Sequence, residues 1–134
     1  MKPQEIFDAA SAHLMGMNGP SVDADGDVCV YRGRDEDGEF NGSKCAVGLF
    51  ISDEHYDCGF EGNGITGSQP VSDAVAASWE QENLTDAQLM LLADLQNAHD
   101  HIPVEKVWSE SIILSLDSVA TKFHLRFYPE GSSA

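Results

Sequence analysis

The sequence predicts an α+β domain that is mostly helical, with four or five helices around one core and a small β-hairpin. Three observations lead there. Apolar residues recur at three- and four-residue steps in several separate segments. A helix-start signature stands at Thr85-Asp86-Ala87-Gln88, where a Thr hydroxyl and a Gln side chain can satisfy amides otherwise unpaired at a helix start. One short β-prone run, Val28-Cys29-Val30-Tyr31, precedes a segment rich in Gly and acid.

The elements follow in order. Pro3 suits a first helical turn, and Ile6, Phe7, Ala10, Leu14 and Met17 share one face, so a helix is expected to about Met17. Asn18-Gly19-Pro20 stops it, and Asp23, Asp25, Gly26 and Asp27 form a polar turn before the strand at 28–31. The stretch 32–43 reads as an exposed loop or hairpin tip, with Phe40 near the strand's partner. Lys44 to Ile51 is a buried strand or a short buried helix, with helix the preferred reading. Residues 58–70 form a long glycine-rich loop. A helix is expected from Val71 to Trp79, and another from the Thr85 box to about Asp100 on the stripe Leu89, Leu92, Leu95, His99. Pro103 marks a further start, and Val104, Val107, Trp108, Ile112, Leu116, Val119 and Phe123 outline a last helix of roughly 20 residues. Residues 128–134 read as a flexible tail. No repeat or linker divides the chain, so residues 1–134 are expected to form one domain, a length at which roughly two thirds of the extended surface can be buried.

The charge is extreme: 23 acidic against 7 basic residues, a formal net charge of −16. Such a surface repels nucleic-acid phosphates and favours basic protein partners through salt-sensitive steering. Direct nucleic-acid binding is therefore not expected. The surplus charge is expected to form a cohesive anionic face. The apolar runs at 45–51 and 111–116 fall far short of the ~20 residues a membrane span needs, and Met1 to Phe7 lacks a signal-peptide core. Three cysteines, Cys29, Cys45 and Cys58, without CxxC spacing argue against a disulfide framework. These features suggest a soluble cytoplasmic protein.

Two sets of residues are candidates for function. Asp35-Glu36-Asp37-Gly38-Glu39 concentrates four carboxylates, Asp35, Glu36, Asp37 and Glu39, which would serve as a docking site for a basic surface. The alternative is a small cysteine-dependent hydrolase or transferase. There Cys45, activated by the amides of a helix start, would be the nucleophile, with His99 as base and Asp100 as orienter. Competing against it is the ordinary role of a Cys among Ala, Val, Leu and Phe as a small core residue.

A metal site is not expected. Asp23-x-Asp25-Gly26-Asp27 fails the EF-hand pattern, which needs Gly sixth and Glu twelfth. His99, His101, Cys45 and Cys58 lack zinc-ligand spacing, since His99 and His101 point in different directions on a helix. His13, His55 and His124 show no pattern. No phosphate loop or dinucleotide fingerprint is present, and no cofactor is implied. Apolar residues near Phe60 and Ile65 are candidates for a dimer contact.

The order Tyr31-Arg32-Gly33, Lys44-Cys45-Ala46-Val47-Gly48, Ile51-Ser52-Asp53-Glu54-His55-Tyr56, Glu61-Gly62 and Leu95-Gln96-x-x-His99-Asp100 resembles a family of small uncharacterised proteins of tailed bacteriophages, prophages and bacteria. The resemblance spans about residues 3–108. This chain departs from it by the acidic loop at 34–42 and a longer final helix to Leu125. The resemblance implies a phage or mobile-element accessory protein and brings no activity with it. Joined to the acidic surface, it leads to the expectation of a protein that binds and inhibits a host protein, for example a CRISPR-type defence component, by occupying a basic groove. A structural or regulatory phage protein without catalytic chemistry is the blander alternative.

Overall fold

The computed structural model describes residues 1–26, 29–102 and 106–128. Four helices and one antiparallel hairpin are found among them, in the order α1 (Pro3–Met15), β1 (Arg32–Arg34), β2 (Phe40–Lys44), α2 (Gln69–Ser78), α3 (Asp86–Asp100) and α4 (Trp108–Lys122). The mostly helical α+β class expected from the sequence is the one observed.

Helix α1 begins at Pro3, and Glu5 reaches back to accept the Lys2 amide at 2.8 Å. It buries Ile6, Phe7, Ala10 and Leu14 completely and ends at Met15, capped by Gly16, two residues before the expected stop. Helix α3 starts at the Thr85 box as read: Thr85 Oγ1 accepts from the Gln88 amide at 3.1 Å, and Gln88 Oε1 accepts from the Thr85 amide at 2.9 Å. Gln88 is itself buried and donates through Nε2 to the Met1 carbonyl at 2.8 Å, so the box also ties down the start of the chain. Helix α4 packs Ile112, Leu116, Val119 and Ala120 inward. Its Trp108 Nε1 donates to the Leu14 carbonyl at 3.0 Å, which pins α4 to the end of α1. Helices α1, α3 and α4 contact one another pairwise and form the centre of the core. Helix α2 closes instead on the segment before it, through Phe50 against Trp79, with ring centroids 5.3 Å apart, and Ser52 N–H to Ser78 Oγ at 3.0 Å.

Four expectations are corrected. The strand lies at 32–34 instead of 28–31; Val28 is outside the described residues, and Cys29 makes only a single bridge to Val22. The reason is that the Tyr31 amide is taken by a side chain, Glu61 Oε1 at 2.7 Å, instead of a neighbouring strand. Residues 45–51 are helical but reach only one turn, since the 3₁₀ segment Gly48–Phe50 gives way to extended backbone at Ile51. The last helix is 15 residues long, not about 20, and stops at Lys122 before Leu125; its expected start at Pro103 and Val104 is outside the described residues. Ile65 is buried at 4% exposure, so it is core and not a dimer contact. The expected tail is described only at Tyr128.

Hairpin β1–β2 pairs Arg32 with Lys44 and Arg34 with Phe40, with a register irregularity between them. Gly42, at φ +87°, sits in that irregularity on β2. A side chain there would be strained.

Candidate functional site

Tyr31, the turn at 45–50, residues 56–63 and the end of α3 meet in one place. Tyr31, just before β1, presents its amide to Glu61 and its hydroxyl to the Asn63 carbonyl. Glu61 also accepts from the Arg32 amide at 3.3 Å and the Tyr56 hydroxyl at 2.6 Å, so one carboxylate joins three segments. The Val47 amide donates to Gln96 Oε1 at 3.0 Å, and Gln96 Nε2 donates to Asp100 Oδ1 at 2.8 Å. That same Asp100 oxygen lies 2.6 Å from His99 Nδ1. Gly48 belongs here because a Cβ on it would come within 2.1 Å of the Tyr31 carbonyl oxygen. Above this network lies a cavity of about 220 Å³ bordered by Cys29, Tyr31, Glu61, Gln96 and Asp100.

The three residues proposed for catalysis are placed as follows. His99 and Asp100 are hydrogen-bonded neighbours, at the end of α3. His99 is 1% exposed, and its Nε2 accepts from the Ser21 amide at 2.8 Å. A ring nitrogen that accepts an N–H carries no proton, so the proton is on Nδ1 and points at Asp100. Both nitrogens are thus committed, and Nε2 is not free to act as a base. Cys45 has no exposed surface. The expected amide contact does exist, from Gly48 N–H to Sγ at 3.3 Å. Burial nonetheless outweighs it and pushes the Cys45 thiol well up from its ordinary value. A buried thiol with a raised pKa is a poor nucleophile, so burial weighs against the Cys45/His99/Asp100 hydrolase reading and favours a core cysteine beside a hydrogen-bonded His–Asp pair.

The acidic candidates are placed where the sequence put them. Asp35, Glu36, Asp37 and Glu39 are all exposed at the tip of the β1–β2 hairpin. The tip is ordered: Asp35 Oδ1 accepts from the amides of Asp37 at 2.9 Å and Glu39 at 3.1 Å, and the Asp35 amide donates to the Glu39 carbonyl at 2.8 Å. Arg34 closes it from beneath, with Nη1 to the Gly38 carbonyl at 2.6 Å and its guanidinium 4.1 Å from the Phe40 ring centroid. The hairpin leans on residues 52–60 through Phe40 against Tyr56, centroids 6.0 Å apart, and the Arg32–Asp53 ion pair at 2.8 Å. This brings Asp53, Glu54 and Asp57, all exposed, to the same end. The charge does not form a single face, however, since α1 exposes Glu5 and Asp8, α2 Asp73, α3 Asp86, and α4 Glu110 and Asp117. It surrounds the molecule and is densest at the hairpin end.

Cys29 is the site residue that sequence reasoning missed. Its sulfur, a His99 nitrogen and an Asp100 oxygen all lie within 4.8 Å of one another. Burial, and next the negative charge of Asp100 that its thiol hydrogen-bonds, push the Cys29 thiol up to about 11. Nothing in the spacing of 29, 99 and 100 signals this, because Cys29 meets the end of α3 only in the tertiary structure.

Fold and site together define a small acidic α+β protein with a polar network at the end of α3 and an ordered anionic hairpin. Comparison of the chain with models of protein families, with curated proteins and with solved structures finds no match.

Proposed function

We propose that this protein acts by binding: its hairpin end docks on the basic surface of another protein and blocks it, as expected of a phage-type accessory inhibitor acting on a host protein. The observation that carries this reading is the ordered tip, which displays Asp35, Glu36, Asp37 and Glu39 beside a Phe40 ring that is 50% exposed. A turn whose backbone is fixed by hydrogen bonds to the Asp35 carboxylate loses little main-chain freedom on docking. An aromatic residue ringed by charge is the composition of an anchoring contact with a polar rim. Arg32 and Arg34 are the cations nearest the tip, and both are partly buried and stacked on Tyr56 and Phe40, 4.3 Å and 4.1 Å from the ring centroids. The exposed carboxylates of the tip, Glu36, Asp37 and Glu39, are therefore left for Lys and Arg of a partner, while Arg32 pairs with Asp53. A groove that binds nucleic acid offers such cations in a row, and a component of a CRISPR-type defence system is one example of such a target, in keeping with the phage resemblance and the anionic surface together.

The test is a pull-down from host lysate at low salt, followed by affinity measurement against the recovered protein. The variant Asp35→Asn/Glu36→Lys/Asp37→Lys/Glu39→Lys keeps the oxygen at position 35 that holds the turn. It is expected to lose at least about tenfold in affinity, and wild-type affinity is expected to fall as salt rises. Recovery of no stoichiometric partner, or unchanged affinity in the variant, refutes the reading.

A further inference from the structure

The geometry points to a transition-metal site, of the class that takes zinc, formed by Cys29 Sγ, His99 Nδ1 and Asp100 at the floor of the cavity beside α3. Sulfur, imidazole nitrogen and carboxylate oxygen are zinc's own donor types. Their ligand atoms lie within 4.8 Å of one another. Bonds of about 2.0 to 2.3 Å to a common ion are reached by side-chain shifts on the order of 1 Å. Cys29 and Asp100 both border the cavity, so a fourth position would open onto it.

The metal-free hydrogen bonds show what must change. The ion takes the place of the Nδ1 proton between His99 and Asp100, now 2.6 Å apart. The neutral ring then carries its proton on Nε2, which can no longer accept from the Ser21 amide and needs an acceptor instead. Ser21 supplies one. Its Oγ belongs to a residue with no exposed surface, has no hydrogen-bond partner, and sits on the residue whose amide is 2.8 Å from Nε2. An orphaned buried hydroxyl is costly unless some state of the protein uses it, and a metal-bound His99 is such a state. Metal-ligating histidines are regularly held by such an acceptor on the other nitrogen. The thiol proton of Cys29 leaves to solvent as the sulfur–metal bond forms.

The experiment is titration of the full chain with Zn²⁺ by calorimetry, and with Co²⁺ by visible absorption, in the presence of excess Mg²⁺. One equivalent is expected to bind, with a sulfur-to-cobalt charge-transfer band. Cys29→Ser and Asp100→Asn are each expected to weaken binding by at least about tenfold, and Ser21→Ala, which keeps the backbone amide, by about tenfold. Cys58→Ser, at an exposed thiol, is expected to bind as wild type. Nitrogen-15 spectra of His99 should switch from the Nδ1–H to the Nε2–H tautomer on adding Zn²⁺, a change that a purely structural His–Asp pair would not undergo. No saturable binding, an unchanged His99 tautomer, or affinity lost in Cys58→Ser but kept in Cys29→Ser overturns the inference.

Discussion

Gly48→Ala tests the polar network most directly. A Cβ at position 48 falls 2.1 Å from the Tyr31 carbonyl oxygen, 2.9 Å from its carbon and 3.1 Å from its Cα. Ordinary contact begins at 3.4 Å, so the closest approach is short by 1.3 Å. The obstacle is backbone, and no rotamer change can clear it. Tyr31 cannot yield freely either, because Glu61 holds its amide at 2.7 Å, the Asn63 carbonyl accepts its hydroxyl, and the Cys45 amide donates to its carbonyl at 3.4 Å. Overpacking costs typically ~1–3 kcal/mol, and a rigid backbone obstacle places this case at about 3 kcal/mol. For a domain of this size that is a fall in Tm on the order of 10 °C. Urea and thermal unfolding followed by circular dichroism measure it. Gly64→Ala is the control, since a Cβ there meets nothing within 4 Å. A Gly48→Ala protein within about 0.5 kcal/mol of wild type, an effect no larger than that of an ordinary surface substitution, would refute the account of how Tyr31 and the 45–50 turn are locked together.

Further outcomes are expected elsewhere. Glu61→Gln keeps one acceptor oxygen for the Tyr31 and Arg32 amides and the Tyr56 hydroxyl but loses the charge; it should cost about 1–3 kcal/mol in urea unfolding. Native protein should react with a thiol reagent at exposed Cys58 while Cys45 stays unmodified until the chain is denatured, as mass mapping of the labelled peptides would show. Because burial raises the Cys45 thiol above its ordinary value of 9.0, the folded chain holds that proton more tightly than the unfolded one. Its stabilising contribution is complete below pH 9 and declines as pH rises further. Urea midpoints taken from pH 8 upward should therefore fall less steeply in Cys45→Ala than in wild type, and equal slopes would contradict the burial.

Local signals in the chain were enough to show that its helices exist and roughly where, though not where α1 and α4 end. The Thr85 box and the Leu stripe set both ends of α3, and Pro3 marks the start of α1, because capping and 3.6-residue periodicity act within a few residues of each other; α1 ends at Met15, two residues short of the expected stop. The exposed acidic tip was legible for the same reason: four carboxylates around a Gly have nowhere to go but solvent. The strand position was not, since a side chain from residue 61 captured the amide that would have joined a ladder at Tyr31. Cys45 shows the same limit in its chemistry. Its amide contact follows from local sequence, but the sign of its pKa shift is decided by its complete burial in the folded core.

What the sequence determined by itself is a helical acidic domain and the place where its carboxylates crowd, since periodicity, capping and charge are properties of neighbouring residues. The tertiary structure alone decided that Cys45 is sealed, that His99 holds its proton on Nδ1, and that Cys29 joins His99 and Asp100. Those outcomes depend on desolvation and on hydrogen-bond partners as far as 78 positions away in the chain, from Ser21 to His99, and no local pattern encodes them.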